Sequence, residues 1–199
     1  MVMFMVYFTD SLLPLKNRLT QLLQSKNRVV AAFDGRSAAG KSSAAEWLAV
    51  QLGGEVIHMD DFFLPLELRT LERLAEPGGN VHRERFETEV LQGLVSGEVF
   101  RYRRFDCSVM DYGESVSAGD KRLIIIEGAY SLHPSFGNYY DLAVFFDIDP
   151  EEQKSRILRR DGPGKLVAFT QRWIPMEERY ISAFDIENRC DMVIKGGLV

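Results

Sequence analysis

The feature that most constrains the fold is the run from Gly35 to Ser42, which fits the pattern G-x-x-x-x-G-K-[ST] at every fixed position. The apolar run Val29–Phe33 before it is typical of a buried parallel strand, and a helix-forming run begins after it at Ser43. Glycines at both ends let the backbone turn tightly and approach an anion, so that N–H groups and a helix N-terminus can point at it. This order of strand, loop and helix predicts a phosphate-binding loop.

The loop predicts a binding site for a nucleotide triphosphate and Mg²⁺. We expect Lys41 to reach the β- and γ-phosphates, and the hydroxyl of Ser42 to hold the metal. A chance match in a glycine-containing turn is the alternative, and the flanking strand and helix weigh against it. The residues of this loop expected to bind the nucleotide are Gly35, Ser37, Ala38, Ala39, Gly40, Lys41, Ser42 and Ser43.

Composition excludes several classes of protein. The 199 residues fit one α/β domain, 1–199, and 46% hydrophobic with 27% charged residues is typical of a folded, water-soluble chain. The 24 basic and 29 acidic residues give a net charge of −5, which argues against nucleic-acid or anionic-membrane binding. We expect a small-molecule acceptor as the partner, while the sequence leaves open whether the chain forms a homo-oligomer.

Localisation is predicted from what the sequence lacks. No stretch approaches the roughly 18 apolar residues that span a bilayer, and Met1–Phe8 has neither the basic region nor the cleavage site of a signal peptide. Cys107 and Cys190 match no metal-ligand spacing, so reduced, structurally ordinary thiols are expected. These features predict a cytoplasmic protein.

Buried strand patterns alternate with helical patterns along the chain. This alternation predicts an open and mostly parallel five-stranded sheet flanked by helices. Together with the phosphate-binding loop, such a sheet is expected to form a P-loop NTPase fold. A first helix is expected from Asp10 or Ser11 to Ser25. Residues 66–118 are expected to form an acceptor-covering insertion with a hairpin, and 156–172 an arginine-rich lid. The predicted sheet strands are Arg28–Phe33, Glu55–Met59, Lys121–Ile126, Leu142–Ile148 and Met192–Lys195.

Acidic residues end two of these strands. Glu127 follows four apolar residues, at the position where a second acid of a phosphate-loop enzyme organises Mg²⁺; a cap or salt bridge is the alternative. Asp60 follows strand two, so both acids are expected at the same sheet edge as Lys41. Either Asp60 or Asp61 could accept the proton of an acceptor hydroxyl. Only one of them should face the site where the strand pleat persists.

A cationic run follows the fourth sheet strand. Arg156 shares a helical face with Arg159 or Arg160, beside the break Asp161–Gly164 that could hinge a lid. Guanidinium groups form a fork that matches phosphate oxygens. A solvated, charged helix face is the alternative for each arginine.

Four motifs in one order make the chain resemble the uridine kinase family, which belongs with phosphoribulokinase and pantothenate kinase among the phosphate-loop kinases. They are Gly35–Ser42, Val56–Pro65, Ile124–Gly128 and Arg156–Asp161. The resemblance covers nearly all of Val29–Ile194. It implies transfer of the γ-phosphoryl group of ATP to a small alcohol, most simply the 5′-hydroxyl of a pyrimidine nucleoside.

The resemblance also implies roles for single residues. The family's Asp-x-Phe-[Tyr/Phe] motif places the base on Asp60, with Asp61 at the intervening position. Its R-x-x-R lid motif falls on Arg156 and Arg159, which would bind the nucleotide, and Lys165 stands near a further lid arginine. The catalytic residues implied are Asp60, Lys41 and Arg159, and the metal ligands are Ser42 and Glu127.

The acceptor half of the site departs from the family pattern. Where the family has Tyr-Asp and then a histidine, this chain has Tyr102–Cys107, and His82 stands where the family has a ribose-binding aspartate. His82 and Arg103 could serve a different, anionic acceptor, or His82 could be an exposed loop residue. Kinases for nicotinamide riboside, a pantothenate-like acid or a sugar phosphate are therefore alternatives, with a switch ATPase as a more distant one. The acceptor residues expected are Asp60, Phe63, His82, Tyr102 and Arg103.

Overall fold

The computed structural model describes residues 2–195 of the chain, with side chains from residue 11 onward. The strands in this part are β1 (Val29–Gly35), β2 (Glu55–His58), β3 (Phe100–Asp106), β4 (Asp111–Ala118), β5 (Leu123–Glu127), β6 (Leu142–Asp147) and β7 (Met192–Lys195). Five of them form a parallel sheet in the order β2-β5-β1-β6-β7, and β3 pairs with β4 in a separate antiparallel hairpin. The predicted five-stranded sheet is confirmed, with β1 at its centre.

Alternation along β1 divides the core between the two faces of the sheet. Val29, Ala31 and Phe33 belong to one apolar cluster, and Val30 and Ala32 to the other. Successive side chains of a strand point to opposite faces, and a parallel sheet is covered on both. This is why the central strands consist of continuous apolar residues.

Helices cover both faces of the sheet. Helices α1 (Val2–Ser25) and α2 (Lys41–Leu52) pack on the first face through leucines and alanines. The other described helices are α3 (Leu71–Ala75), α4 (Arg83–Phe86), α5 (Gln92–Ser96), α6 (Pro150–Ala168) and α7 (Ile174–Phe184). Side chains of α4 and α7, including Phe86 and Tyr180, pack on the second face.

Several predicted boundaries were wrong. Helix α1 begins at Val2 rather than at Asp10 or Ser11. Pro14 therefore lies inside the helix, where it interrupts the helical hydrogen bonds without ending the helix. Strand β2 ends at His58, and the chain turns into a 3₁₀ helix over Met59–Phe62. The alternation of a strand therefore does not govern where Asp60 and its neighbour point.

The segment between β2 and β5 forms short helices followed by the hairpin. A π-helical turn, Glu87–Leu91, joins α4 to α5 into one continuous helical run. The hairpin of β3 and β4 carries a bulge between Arg103 and Phe105. That this segment covers an acceptor remains a prediction.

The predicted break after Arg160 is a kink inside α6. Gly162 has φ 81° and ψ 174°, a conformation outside the helical region, and helix continues on both sides of it. A π-helical turn, Phe169–Trp173, then leads directly into α7. The predicted lid, residues 156–172, is thus connected to α7 without a loop.

Candidate active site

The phosphate-binding loop joins the end of β1 to the start of α2. Its backbone has positive φ at Gly35 (126°), Ala38 (60°) and Gly40 (97°), which curls the chain around the helix N-terminus. A Cβ atom on Gly35 would overlap the backbone carbonyl oxygen of Phe146 on β6, so glycine is required there. The hydroxyl-bearing residues Ser42 and Ser43 are exposed in the first turn of α2.

The side chain of Lys41 is buried inside the loop. Its Nζ donates hydrogen bonds to the carbonyl oxygens of Gly35, at 2.9 Å, and Arg36, at 2.8 Å. Only 7% of the residue is exposed. The loop therefore holds its own cation in place by its own backbone.

The loop and the predicted lid arginines line one cleft of about 370 Å³. Arg156 is buried and donates to the carbonyl oxygen of Ala38 at 3.3 Å and to Glu152 at 2.8 Å, whereas Arg159 is exposed. The cleft is lined by Ala38, Gly40, Lys41, Ser42, Ser43, Arg156, Arg159 and Arg160. The structure thus brings together the two groups that sequence reasoning assigned to the nucleotide.

Side chains of α6 and α7 hold the outer part of the loop. Glu177, which is buried, accepts a hydrogen bond from the backbone N–H of Ser37, and Gln153 donates to the carbonyl and hydroxyl oxygens of Ser37 at 3.1 Å. Arg36 donates to Glu178 at 2.6 and 3.0 Å. Burial raises the pKa of Glu177 to about 7, although the positive charge of Lys41 opposes the shift. No signal in the sequence marked Glu177.

Asp60 lies in the 3₁₀ helix that follows β2, where its side chain is open to solvent at the edge of the sheet. The surrounding protein removes part of its hydration, and this effect, followed by the negative charge of Glu127, raises the pKa of its carboxyl group. The positive charge of Lys41 acts in the opposite direction. The three side chains therefore act on one another electrostatically at this edge.

Asp61, the alternative base, lies against the hairpin. Its Oδ2 is buried without a hydrogen bond, 3.7 Å from Nε of Arg104, and burial raises the pKa of its carboxyl group. The guanidinium of the buried Arg85 donates to its backbone carbonyl. These contacts anchor Asp61 to the hairpin and to α4, and they leave Asp60 as the aspartate more open to solvent.

Glu127 ends β5 and is only 4% exposed. Its Oε1 lies 2.5 Å from Nδ1 of His58, which is its direct partner in the pairing of β2 with β5. This hydrogen bond raises the pKa of His58. Any role of Glu127 at a metal would therefore use a carboxylate that His58 already orients.

Asp34, near the end of β1, is a buried acid beside the phosphate loop that sequence reasoning missed. Its fully buried carboxylate accepts hydrogen bonds from the backbone N–H groups of Gly35, Tyr130 and Leu132 and from the hydroxyl of Tyr180, at 2.7 to 3.1 Å. Burial nevertheless raises its pKa. The same signal that marked Glu127, an acid that ends a buried strand, was present here.

The predicted acceptor residues occupy different environments. Phe63 is half-buried and pairs with Val81 through an isolated β-bridge. Tyr102 is 3% exposed and packs on Phe62; burial, followed by Asp61, raises its pKa to about 12.

The other two predicted acceptor residues, His82 and Arg103, both contact the ring of Tyr112. Nδ1 of His82 lies 3.3 Å from the hydroxyl of Tyr112, and the guanidinium of Arg103 lies 4.3 Å from the centre of the Tyr112 ring. Burial lowers the pKa of His82. Both side chains are engaged with the hairpin.

The described part of the chain contains neither a cluster of metal-binding side chains nor a membrane-spanning helix. None of its groups of His, Cys, Asp and Glu side chains could hold a metal ion with three or more ligands. None of its helices combines the length and apolar character needed to cross a membrane.

The sequence matches no protein-family model and no curated protein. The structure resembles a possible uridine kinase from Bacillus stearothermophilus, with 21% identity, TM-score 0.64 and coverage of 92% of this chain and 100% of that one. A candidate fructose transport system kinase from Silicibacter sp. has 19% identity and TM-score 0.67, over 90% and 98% of the two chains. A circularly permuted candidate P-loop kinase from Saccharomyces cerevisiae has 13% identity and TM-score 0.61, over 92% and 97%. At these identities the likeness establishes the fold, which is that of the P-loop kinases.

Proposed function

We propose that this chain is an ATP- and Mg²⁺-dependent kinase that transfers the γ-phosphoryl group to a hydroxyl of a small molecule. The observation that carries the proposal is the meeting of the phosphate loop with Arg156 and Arg159 around one cleft. Asp60 follows β2 at the edge of the same sheet, and the positive charge of Lys41 in the cleft acts on its carboxyl group. Phosphoryl transfer needs these elements, namely a phosphate cradle, cations and an acid that orients the acceptor. The kinase structures with the same fold agree with it.

The residues present fit a nucleotide triphosphate. The loop has the glycine-dependent curl of an anion-binding backbone, and the charge of Lys41 lies at its centre. Arg156 and Arg159 would bind phosphate oxygens from the lid side of the cleft. Guanidinium forks and loop N–H groups together would stabilise the charge on the transferred group.

The residues also fit Mg²⁺ in the way that kinases usually hold it. Mg²⁺ prefers one or two protein oxygens and fills its remaining positions with phosphates and water. Ser42 would supply a hydroxyl and Glu127 a carboxylate, with His58 holding the carboxylate in place. Bound there, the metal would neutralise charge between the phosphates.

Asp60 is the proposed general base. An ionised carboxylate in hydrogen-bond reach of the acceptor could take the hydroxyl proton, and a pKa above the ordinary aspartate value makes it a better proton acceptor. The partial exposure of Asp60 leaves it reachable by a substrate, unlike Asp61. The 5′-hydroxyl of a pyrimidine nucleoside remains a prediction from the motif resemblance.

The test is ADP formation by the purified chain with ATP and Mg²⁺, with and without candidate alcohols. The panel comprises pyrimidine nucleosides, nicotinamide riboside, pantothenate and sugar phosphates. We expect at least one alcohol to accelerate ADP formation and to appear as its phosphate ester by mass spectrometry. ATP hydrolysis that no alcohol changes, but that a protein partner stimulates, would instead identify a switch ATPase.

A further inference from the structure

Arg85 is a buried cation that no motif in the sequence singled out. It lies on α4, and only 5% of the residue is exposed. Its guanidinium lies over two aromatic rings, 4.3 Å from the centre of the Phe62 ring and 5.0 Å from that of Tyr112. Phe62 belongs to the 3₁₀ helix that carries Asp60, and Tyr112 belongs to β4. Arg85 therefore contacts both the segment of the proposed base and the hairpin.

The same guanidinium bonds the backbone of both segments. It donates hydrogen bonds to the carbonyl oxygens of Asp61, next to Asp60, and of Arg103 on β3. Glu89, one helical turn further on, accepts from the backbone N–H of Arg103 at 2.8 Å and lies 3.4 Å from Nη1 of Arg85. Arg85 and Glu89 thus hold both backbone polar groups of one β3 residue, and Arg85 fastens that residue to the base-bearing segment.

The 3₁₀ helix that carries Asp60 needs such partners from outside. A short helix leaves its last carbonyl groups without donors inside the helix, and a basic side chain can supply them. The carbonyl oxygen of Phe62 accepts from the backbone N–H of His82 at 2.7 Å. The carbonyl oxygen of Asp61 accepts from Arg85. Asp60 is therefore held upstream by the pairing of β2 with β5, and downstream by these two donors.

The hairpin side of Arg85 carries predicted acceptor residues. The Tyr112 ring that Arg85 contacts also lies 4.3 Å from the guanidinium of Arg103. Its hydroxyl lies 3.3 Å from Nδ1 of His82. The position of Asp60 relative to these side chains thus depends on one buried guanidinium. A displacement of about 1 Å in a catalytic group can reduce the rate about a hundredfold.

We propose that Arg85 is a positioning residue, which fastens the 3₁₀ helix to the hairpin and thereby holds Asp60 within reach of the acceptor hydroxyl. The inference rests on the proposed kinase function and adds a residue to its acceptor side. Arg85 acts through Asp60 rather than on the substrate, because it is buried and both of its terminal nitrogens bond protein groups. Proton transfer to the base requires hydrogen-bond distance between the two reacting groups.

The first experiment uses Arg85→Lys with the best alcohol of the panel. Lysine keeps the positive charge but replaces the planar fork with one ammonium group, which cannot reproduce both carbonyl bonds with the same geometry. We expect kcat to fall about 10- to 100-fold while KM for ATP stays within about twofold. Arg85→Gln, which also removes the charge, should lower kcat further.

Arg28→Lys is the matched control. Arg28 also donates to two backbone carbonyl oxygens, those of Gly97 and Gly119, each at 2.8 Å. It precedes β1, at the opposite end of this strand from the phosphate loop. Its substitution should leave kcat within about twofold. Thermal unfolding of each variant sets a temperature for the kinetics at which the variants are folded.

A double-mutant cycle separates positioning from a general loss of structure. If Arg85 acts through Asp60, Arg85→Lys should change the residual kcat of Asp60→Asn by less than about twofold, because the base that it positions is gone. If Arg85→Lys does not fold, Glu89→Ala takes its place, since Glu89 is partly exposed and holds the same β3 residue. It should lower kcat at least about threefold in the wild-type background, and less than about twofold in Asp60→Asn.

Two results would overturn the inference and leave the kinase function intact, because the wild type would still phosphorylate the alcohol. One is an equal loss of kcat from Arg85→Lys with and without Asp60. The other is a KM for ATP that rises as far as kcat falls, which would assign Arg85 to the fold as a whole. If no alcohol accelerates ADP formation by the wild type, the kinase function itself fails, and the role of Arg85 fails with it.

Discussion

The carboxylate of Glu177 accepts a hydrogen bond of 3.0 Å from the backbone N–H of Ser37, so a buried acid of α7 is attached to the phosphate loop. The next residue, Glu178, binds Arg36 of the same loop. Helix α7 follows the lid without an intervening loop. Movement of the segment predicted to form a lid would therefore be transmitted to the phosphate loop.

Glu177→Gln is expected to change how stability depends on pH. Burial raises the folded-state pKa of Glu177 from 4.5 to about 7, so the folded protein binds this proton more tightly than the unfolded chain does. The protonated carboxyl group of Glu177 contributes in full to the free energy of unfolding below pH 4.5. This contribution is lost as the pH rises through 7. Gln keeps an oxygen for Ser37 and cannot ionise. The free energy of unfolding of the variant should therefore rise relative to wild type between pH 5 and 8, by up to about 3 kcal/mol.

Urea unfolding of both proteins at several pH values measures this difference. Glu178→Gln is the matched control, since it removes a partly exposed ion pair with Arg36 and no buried acid. Parallel pH profiles for wild type and Glu177→Gln would contradict the prediction.

Asp60→Asn should keep nucleotide binding and reduce kcat by about two to four orders of magnitude, because it removes the proton acceptor and not the phosphate cradle. Steady-state kinetics with the best alcohol of the panel, and calorimetric titration with ADP, measure the two effects. Asp61→Asn is the comparison. If Asp61→Asn abolishes turnover and Asp60→Asn does not, the base is Asp61.

Lys41→Met should abolish the stabilisation of the folded protein by ATP. The ammonium group is the cation at the centre of the loop, and its loss also leaves two backbone carbonyls without their partner. Thermal unfolding with and without ATP tests this, and Lys121→Met, far along the chain and paired only with Asp120, is the control. An undiminished ATP shift in Lys41→Met would remove this cleft from consideration as the nucleotide site.

Gly35→Ala should destabilise the fold by about 2–4 kcal/mol, or prevent folding. Gly35 has φ 126°, and the added methyl group would overlap the Phe146 backbone, which cannot move without disturbing β6. Gly164→Ala is the control because nothing lies within 4 Å of the added atom. Equal unfolding midpoints for the two variants would refute the steric explanation.

Local sequence patterns were sufficient to predict the strands of the sheet and the residues of the phosphate loop. Strand and loop signals lie within a few residues of each other, and Gly35–Ser42 needs only its neighbours to be recognised. The five parallel strands and the hairpin were predicted in this way and are present. The predicted break at Asp161–Gly164 is instead a kink at Gly162 inside α6.

The contacts that hold the phosphate loop from outside could not be predicted, because they join segments that are distant in the sequence. Glu177 reaches Ser37, and Tyr180 reaches Asp34, across most of the chain, so no spacing reveals them.

The position of Lys41 has a thermodynamic consequence for the nucleotide site. An ammonium group normally gives up its hydration when it meets a phosphate, which weakens binding. Here the group is already dehydrated and bonded to the carbonyl oxygens of Gly35 and Arg36 before any ligand arrives. The free energy needed to remove water from this ammonium group therefore lowers the stability of the ligand-free protein. It does not lower the affinity for the nucleotide.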